Sequence, residues 1–301
     1  LAVGGGSVID TAKAVAIGYA NPEVDVWRFF TRELTPEKTT PVGAVLTIAA
    51  AGSEMSDSCV ITNEKLGLKR GLGSPLNRIR FALMNPELTY TLPKYQIACG
   101  LCDIMMHTIE RYFCAVQGND ISDRIAEGLL KTVIQQGRRA MENPRDYHAM
   151  SEIMWCSSLS HNGITGLGGE KDFSVHQLGH ELSGKYGVAH GASLAAIWPT
   201  WARTVCISDL PRFAQFARNV WDIQEPQDEQ AALAGIQATE DYLISLGLPS
   251  GLKQLCGHPL SEAELEDLAE KCTFFGKRQI GTFHKMGYKE ILAVYQAANV
   301  F

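Results

Sequence analysis

The chain has 301 residues, 46% of them apolar and 20% charged, with a formal net charge of −6. That composition suits a globular protein with a real core, and at roughly 150 residues per domain the length predicts two domains. The acidic balance lacks the basic footprint of a nucleic-acid binder, and no apolar run reaches the ~18 residues that a membrane span needs.

The first stretch, LAVGGGSVID, lacks the basic n-region of a signal peptide. Without a secretion signal, the 8 cysteines are expected to be reduced thiols of a cytoplasmic protein. Cys99 and Cys102 form the lone CxxC pair, readable as a redox or metal motif or as two small residues packing a helix. The chain opens in a strand-like LAV that runs directly into a glycine turn, so further N-terminal sequence is expected.

In chain order, residues 1–3 read as the tail of a strand, and GGGSVIDTAKAVAIGYA as a turn and a helix. Ser7 is the expected N-cap, with Asp10 completing a capping box. Ile9, Ala12, Ala16 and Ile17 supply an apolar stripe. Residues 21–41 read as irregular. PVGAVLTIAA (41–50) is β-branched and apolar enough for a buried strand. CVITNEKLGLKRGLG predicts a hairpin around Asn63-Glu64, and RFALMNPELT a short strand ending at Pro86. From about Thr91 the period turns helical, over TLPKYQIACGLCDIMMHTIERYFCAV and then 121–142, 147–163, 174–186, 191–206, 209–221, 228–247 and 261–272. The expected organisation is therefore a small α/β part (1–88) and an all-helical part (89–301), with IQEPQDEQ (223–230) as an exposed loop.

Two motifs carry chemistry. The first is GGGSVIDTAK: a strand, a glycine turn and a helix N-terminus present backbone N–H groups and a positive dipole end to phosphate. A tightly turned, capped helix is the alternative reading. The second is a set of acidic and imidazole side chains. Asp103 and His107 are four apart, on one helical face. His176 and His180 repeat that spacing, and His190 follows a break at Gly187. One carboxylate and three imidazoles suit a divalent first-row cation, Fe²⁺ or Zn²⁺, which can polarise an alcohol or carbonyl oxygen. His161 reads as an ordinary helix-end residue. His148, His258 and His284 read as surface or loop residues, although His284 could face the cleft. Met105, Met106, Trp198 and Trp201 could line an apolar substrate pocket but read first as core.

With these residues in view, the chain resembles the iron-containing (group III) alcohol dehydrogenases, in particular their butanol dehydrogenase and aldehyde reductase branch. The resemblance rests on GGGSVIDTAK, LTIAAAGSEMSDSCVITN, KRGLGSP, NPELTYTLP, GLCDIMMHTIERYF and HQLGHELSGKYGVAHGASLAAIWPTW, in the family's order, with a family-like last helix ending KEILAVYQAANVF. It implies an α/β Rossmann-like N-terminal part, here truncated, plus an all-helical C-terminal domain of the dehydroquinate synthase-like kind. It implies metal ligands at Asp103, His107, His176 and His190. It places His180 near the nicotinamide as a non-ligand that relays the hydroxyl proton. Cofactor contacts are implied at Gly5, Gly6, Ser7 and Asp10, and further on at Thr47, Ser53 and Lys69. The cofactor is NAD or NADP, and a homodimer is the expected assembly.

The resemblance also marks two departures. Many members have Thr where this chain has Ala51, so one hydroxyl contact to the cofactor is expected to be absent. The family also carries roughly 90 further N-terminal residues, the first βαβ half of the nucleotide fold, so weak dinucleotide binding is expected here. The expected activity is hydride transfer between NAD(P)H and a small aldehyde or primary alcohol such as butanal or butanol. Three alternatives stay open: a zinc polyol (glycerol-type) dehydrogenase, a dehydroquinate synthase-like enzyme, and a non-catalytic metal-binding remnant.

Overall fold

The computed structural model describes residues 1–116 and 118–300. Strand β1 (Ala2–Gly4) leads into helix α1 (Gly6–Ala20), the short α2 (Trp27–Phe30) and strand β2 (Gly43–Leu46). Strands β3 (Ser58–Asn63) and β4 (Leu68–Gly73) follow, then β5 (Phe81–Met84). β1, β2 and β5 form a parallel sheet in the order β1-β2-β5, in which Ala44 pairs with Ala2 on one side and Ala82 on the other. β3 and β4 form a separate antiparallel hairpin, with Asn63 opposite Leu68. Its turn closes through Gly67 at φ 58°, a left-handed conformation that glycine adopts without a side-chain clash.

The local sequence explains most of these elements, with three corrections. Gly5, in extended conformation, is the N-cap of α1, and Ser7 already lies inside the first turn with no side-chain cap present. The Asp10 carboxylate, assigned to a capping box from sequence, instead accepts hydrogen bonds from Ser53 Oγ and from Val60 N at 2.8 Å. The expected strand over 41–50 is confined to Gly43–Leu46. Beyond it the backbone is claimed by a helix: Ser157 Oγ donates to Ala50 O at 3.1 Å and accepts from Gly52 N at 3.2 Å.

The remainder is helical: α3 (Lys94–Tyr112), α4 (Asp120–Glu142), α5 (Tyr147–His161), α6 (Ser174–Tyr186), α7 (His190–Val205), α8 (Leu210–Trp221), α9 (Asp228–Ser245), α10 (Leu252–Cys256), α11 (Glu262–Cys272) and α12 (Tyr288–Ala298). The short α2 and α10 are too brief to carry a detectable period. An isolated antiparallel bridge, Ile280 to Met286, breaks the all-helical pattern near the C-terminus. Among the described residues no helix is long and apolar enough to cross a membrane.

One core joins the two parts. Ala44, Leu46 and Ala49 from the sheet side pack in the same cluster as Ile104, Met105, Met106, Trp198 and Trp201. Those two methionines and two tryptophans are fully buried, so they are core and not a substrate wall. Burial of each such side chain contributes about 1.5–3 kcal/mol. Cys99 and Cys102 are buried free thiols on α3, which agrees with the packing reading of CxxC.

Helix α3 is wedged between the sheet side and α7 by two close approaches. A Cβ on Gly100 would lie 2.2 Å from Ala49 O, and a Cβ on Gly191 would lie 2.0 Å from Cys99 O. Glycine at both positions lets the helix bearing Asp103 meet the helix that begins at His190.

Candidate metal centre and cofactor turn

Asp103 and His107 lie one turn apart on α3, and Glu110 extends the same face by a further turn. His176 and His180 sit one turn apart on α6. Gly187, at φ 67°, caps α6 in the left-handed conformation, and the chain reverses to place His190 as the first residue of α7. These three elements bring four side chains to one point. Asp103 Oδ1 lies 3.3 Å from His107 Nε2, 3.5 Å from His176 Nε2 and 3.9 Å from His190 Nε2. Ligand atoms of Asp103, His107 and His176 all lie within 4.8 Å of one another.

The donor set fits a divalent cation on two grounds. Asp103 Oδ1 and His176 Nε2 are buried with no hydrogen-bond partner among the described residues. An orphaned buried carboxylate oxygen is costly unless a cation or donor compensates it. One carboxylate and three imidazoles are also the borderline donors that first-row divalent ions prefer. Burial pushes the His107 and His190 pKa values well below the ordinary imidazole range, so both rings stay neutral and able to ligate at neutral pH.

His176 is oriented by Glu110. The buried Glu110 carboxylate accepts from His176 Nδ1, and its other oxygen accepts from Val175 N at 2.6 Å and His176 N at 3.3 Å. Nδ1 thus faces Glu110 and Nε2 faces Asp103, the carboxylate–histidine arrangement that sets the tautomer of a metal ligand. Burial pulls the His176 imidazolium down, but Glu110 and Asp103 overcome it and raise its pKa to about 9.

His180 lies next to this cluster, its ring centroid 5.1 Å from that of His190 and 6.3 Å from that of His176. Burial lowers its pKa well below the usual value, and the Lys69 charge adds to the effect. Lys69, on β4, lines the same cavity as His176 and His180. Burial lowers the Lys69 pKa, against the pull of Asp103 and Asp10.

Gly5 links β1 to α1, and Gly6 and Ser7 open the first turn of that helix. Their amides precede the first intrahelical bonds, which run from Val8 N and Ile9 N to Gly5 O. Thr47 follows directly on β2, and its N–H donates to Gly4 O at 3.2 Å. Turn and threonine therefore stand at the C-terminal ends of neighbouring parallel strands, where open α/β sheets bind ligands. A Cβ at Gly5 would lie 2.2 Å from Ile48 Cγ2, so packing alone also requires glycine there. Asp10 and Ser53 do something else. Ser53 Oγ donates to Asp10 and accepts from the buried Lys13 ammonium at 3.0 Å. Lys13 Nζ also donates to Ser53 O and Ser58 O, each at 2.7 Å. With these hydrogen bonds, Asp10 and Ser53 hold the loop after β2 against α1.

Three contributors escaped sequence reasoning. His161, read there as an ordinary helix end, stacks on His107 with ring centroids 3.9 Å apart and donates from Nδ1 to Ala51 O. Glu110 could have been found from its seven-residue spacing to Asp103. Lys13 gave no signal, because nothing local distinguishes a buried lysine from a solvated one.

Residues 1–86 match the family model for iron-containing alcohol dehydrogenase, and residues 97–299 match the C-terminal model of the Fe-containing alcohol dehydrogenase family. The chain belongs to the iron-containing alcohol dehydrogenase family. It is 36% identical over 298 residues to NADH-dependent butanol dehydrogenase A of Clostridium acetobutylicum, covering 98% of this chain and 76% of that protein. It is 34% identical over 301 residues to the NADPH-dependent aldehyde reductase YqhD of Escherichia coli, covering 99% of this chain and 77% of that one. The crystal structure of NADH-dependent butanol dehydrogenase A from Thermotoga maritima superposes with a TM-score of 0.93 at 32% identity, over 99% of this chain and 75% of that one. Family membership agrees with the Rossmann-like and helical architecture.

Proposed function

We propose that this chain is a metal-dependent oxidoreductase that transfers a hydride between NAD(P)H and a small aldehyde or primary alcohol, such as butanal and butan-1-ol. The observation that carries the reading is the approach of three imidazole nitrogens to the orphaned, buried Asp103 Oδ1. The names of similar proteins, NADH-dependent butanol dehydrogenase and NADPH-dependent aldehyde reductase, supply the reaction class and the choice of cofactors. Division into a nucleotide-binding part (1–88) and a metal-binding helical part (89–301) belongs to the same proposal, as does a cytoplasmic setting for its free thiols.

In this reading Asp103, His107, His176 and His190 hold a divalent metal, iron or zinc. When bound it supplies Lewis acidity toward the alcohol or aldehyde oxygen. Glu110 fixes the His176 ring, and His161 braces His107 by stacking on it. Gly5, Gly6 and Ser7 offer backbone N–H groups to the cofactor pyrophosphate, with Thr47 and Lys69 as further contacts. His180 moves the hydroxyl proton through an imidazole nitrogen kept neutral by burial.

The test measures metal content and butanal reduction with NADH and with NADPH. The expected result is about one metal per chain and turnover with at least one cofactor. His190→Ala should lose metal and turnover together, and stoichiometric metal in that variant removes His190 from the ligands. His180→Ala should keep the metal while turnover falls by about 10²–10⁴-fold. Absence of tightly bound iron or zinc in the unaltered chain sinks the reading.

A further inference from the structure

We propose that the substrate cavity of this chain selects aldehydes whose far end carries an anion, a carboxylate or a phosphate. The proposal rests on the oxidoreductase reading above and specifies its substrate class. A cavity of about 280 Å³ opens beside the metal centre, with His176 and His180 in its wall. Its size falls near the small end of the range for ligand sites, about 300–1,000 Å³.

The cavity is cationic although the chain carries a net charge of −6. Its lining includes Arg32, Lys69, Arg70, Lys171 and Arg278 against the carboxylates Asp172 and Glu181, an excess of three positive charges (5 − 2). Arg70 is spent on Glu181, with Nη1 to Oε1 at 2.8 Å. Asp172 is spent on backbone N–H groups: Ser174 N at 2.9 Å, Thr282 N at 2.7 Å and Phe283 N at 2.9 Å. Among the described residues, the Arg32, Lys69, Lys171 and Arg278 head groups form no ion pair. A cavity that gathers cations without counter-charges attracts and orients an anionic ligand.

Aromatic walls hold the cations in place. Lys171 Nζ lies 5.3 Å from the Phe173 ring centroid, and the Arg278 guanidinium lies 3.6 Å from that of Phe274. Cations positioned in this way would face the charged end of a short aldehyde. Among the described residues five non-glycines have positive φ, and three of them, Arg32, Phe173 and Phe274, line this cavity. Strained residues of this kind persist where the surrounding structure fixes them, often at ligand sites. The pyrophosphate turn, Gly5–Ser7, is not part of this lining, and with Lys69 left to the cofactor as above, Arg32, Lys171 and Arg278 are the cations available to the substrate.

The test compares kcat/KM for butanal, 4-oxobutanoate and 3-phosphooxypropanal in the metal-loaded chain, with NADH and with NADPH. Equilibrium binding of 4-hydroxybutanoate and butan-1-ol is measured alongside by calorimetry. We expect either anionic aldehyde to exceed butanal by about tenfold or more, and the faster of the two names the anion. 4-Hydroxybutanoate should bind about tenfold tighter than butan-1-ol. The double variant Lys171→Met/Arg278→Met should lower the ratio of anionic to neutral efficiency about tenfold, with an unchanged circular dichroism spectrum. Lys171→Arg, which keeps the charge, should retain the ratio. Butanal reduced as well as both anionic aldehydes overturns the proposal and leaves the oxidoreductase reading standing. Failure to reduce any aldehyde overturns both. A double variant that raises KM for both cofactors while the ratio holds assigns the cations to the cofactor and also overturns the proposal.

Discussion

Helix α3 carries two buried polar clusters that differ in how completely they are satisfied. At its C-terminal end, Arg212 donates from Nη2 to Tyr112 O at 2.7 Å, contacts both oxygens of Asp123 and lies 3.7 Å from the Tyr112 ring centroid. Tyr112 Oη donates to Glu127 Oε1 at 2.9 Å, and Asn219 and Gln215 donate to the same carboxylate network. Two turns earlier, Asp103 Oδ1 faces three imidazoles and has no hydrogen bond among the described residues. The first cluster is closed and fastens helices together. The second leaves a buried carboxylate oxygen and a buried imidazole nitrogen without hydrogen-bond partners among the described residues. Burial is common to both, so satisfaction of donors and acceptors is what separates a structural network from a binding site.

Breaking the closed cluster should have the largest effect on stability. Arg212→Met strands Asp123 and should cost about 3–5 kcal/mol in denaturant unfolding. A loss below 1 kcal/mol would show that the network is not a fastening. In the open cluster, Glu110→Gln keeps an acceptor for Val175 N but loses the charged partner of His176 Nδ1. Metal affinity should fall about 10–100-fold, and the metal-free protein should also melt lower at neutral pH, because Glu110 is the main support of the His176 imidazolium. Asp103→Asn should abolish metal binding and lower metal-free stability at neutral pH, because Asp103 and Glu110 together favour the His176 imidazolium. An unchanged metal-free melting temperature would mean that Glu110 alone supports that charge.

The smallest effect is on pH dependence. Burial raises the Asp123 pKa, but its bonds to Arg212 outweigh that and hold it below the ordinary carboxylate value. A depressed folded-state pKa contributes stability that is complete above the unfolded value, about 3.9. That stability is lost as pH falls through the folded value. Melting temperatures across the acid range should show this loss in the unaltered chain and a smaller one in Arg212→Met.

The chain order of elements and most helix limits followed from periodicity, as with α6, predicted and observed over 174–186. The convergence of these side chains was equally legible, since Asp103 and His107 share a helical face wherever the helix goes, and Gly187 caps α6 in the left-handed conformation before the chain returns at His190. Those are short-range facts, written in spacing and in glycine. His161 on His107, Glu110 beneath His176, Lys13 under the Ser53 loop and the cations of the cavity belong to tertiary structure. They join residues separated by tens to over a hundred positions. No local propensity records such a pairing, because its energy exists only once the core around Ile104, Trp198 and Trp201 has closed and water has been excluded.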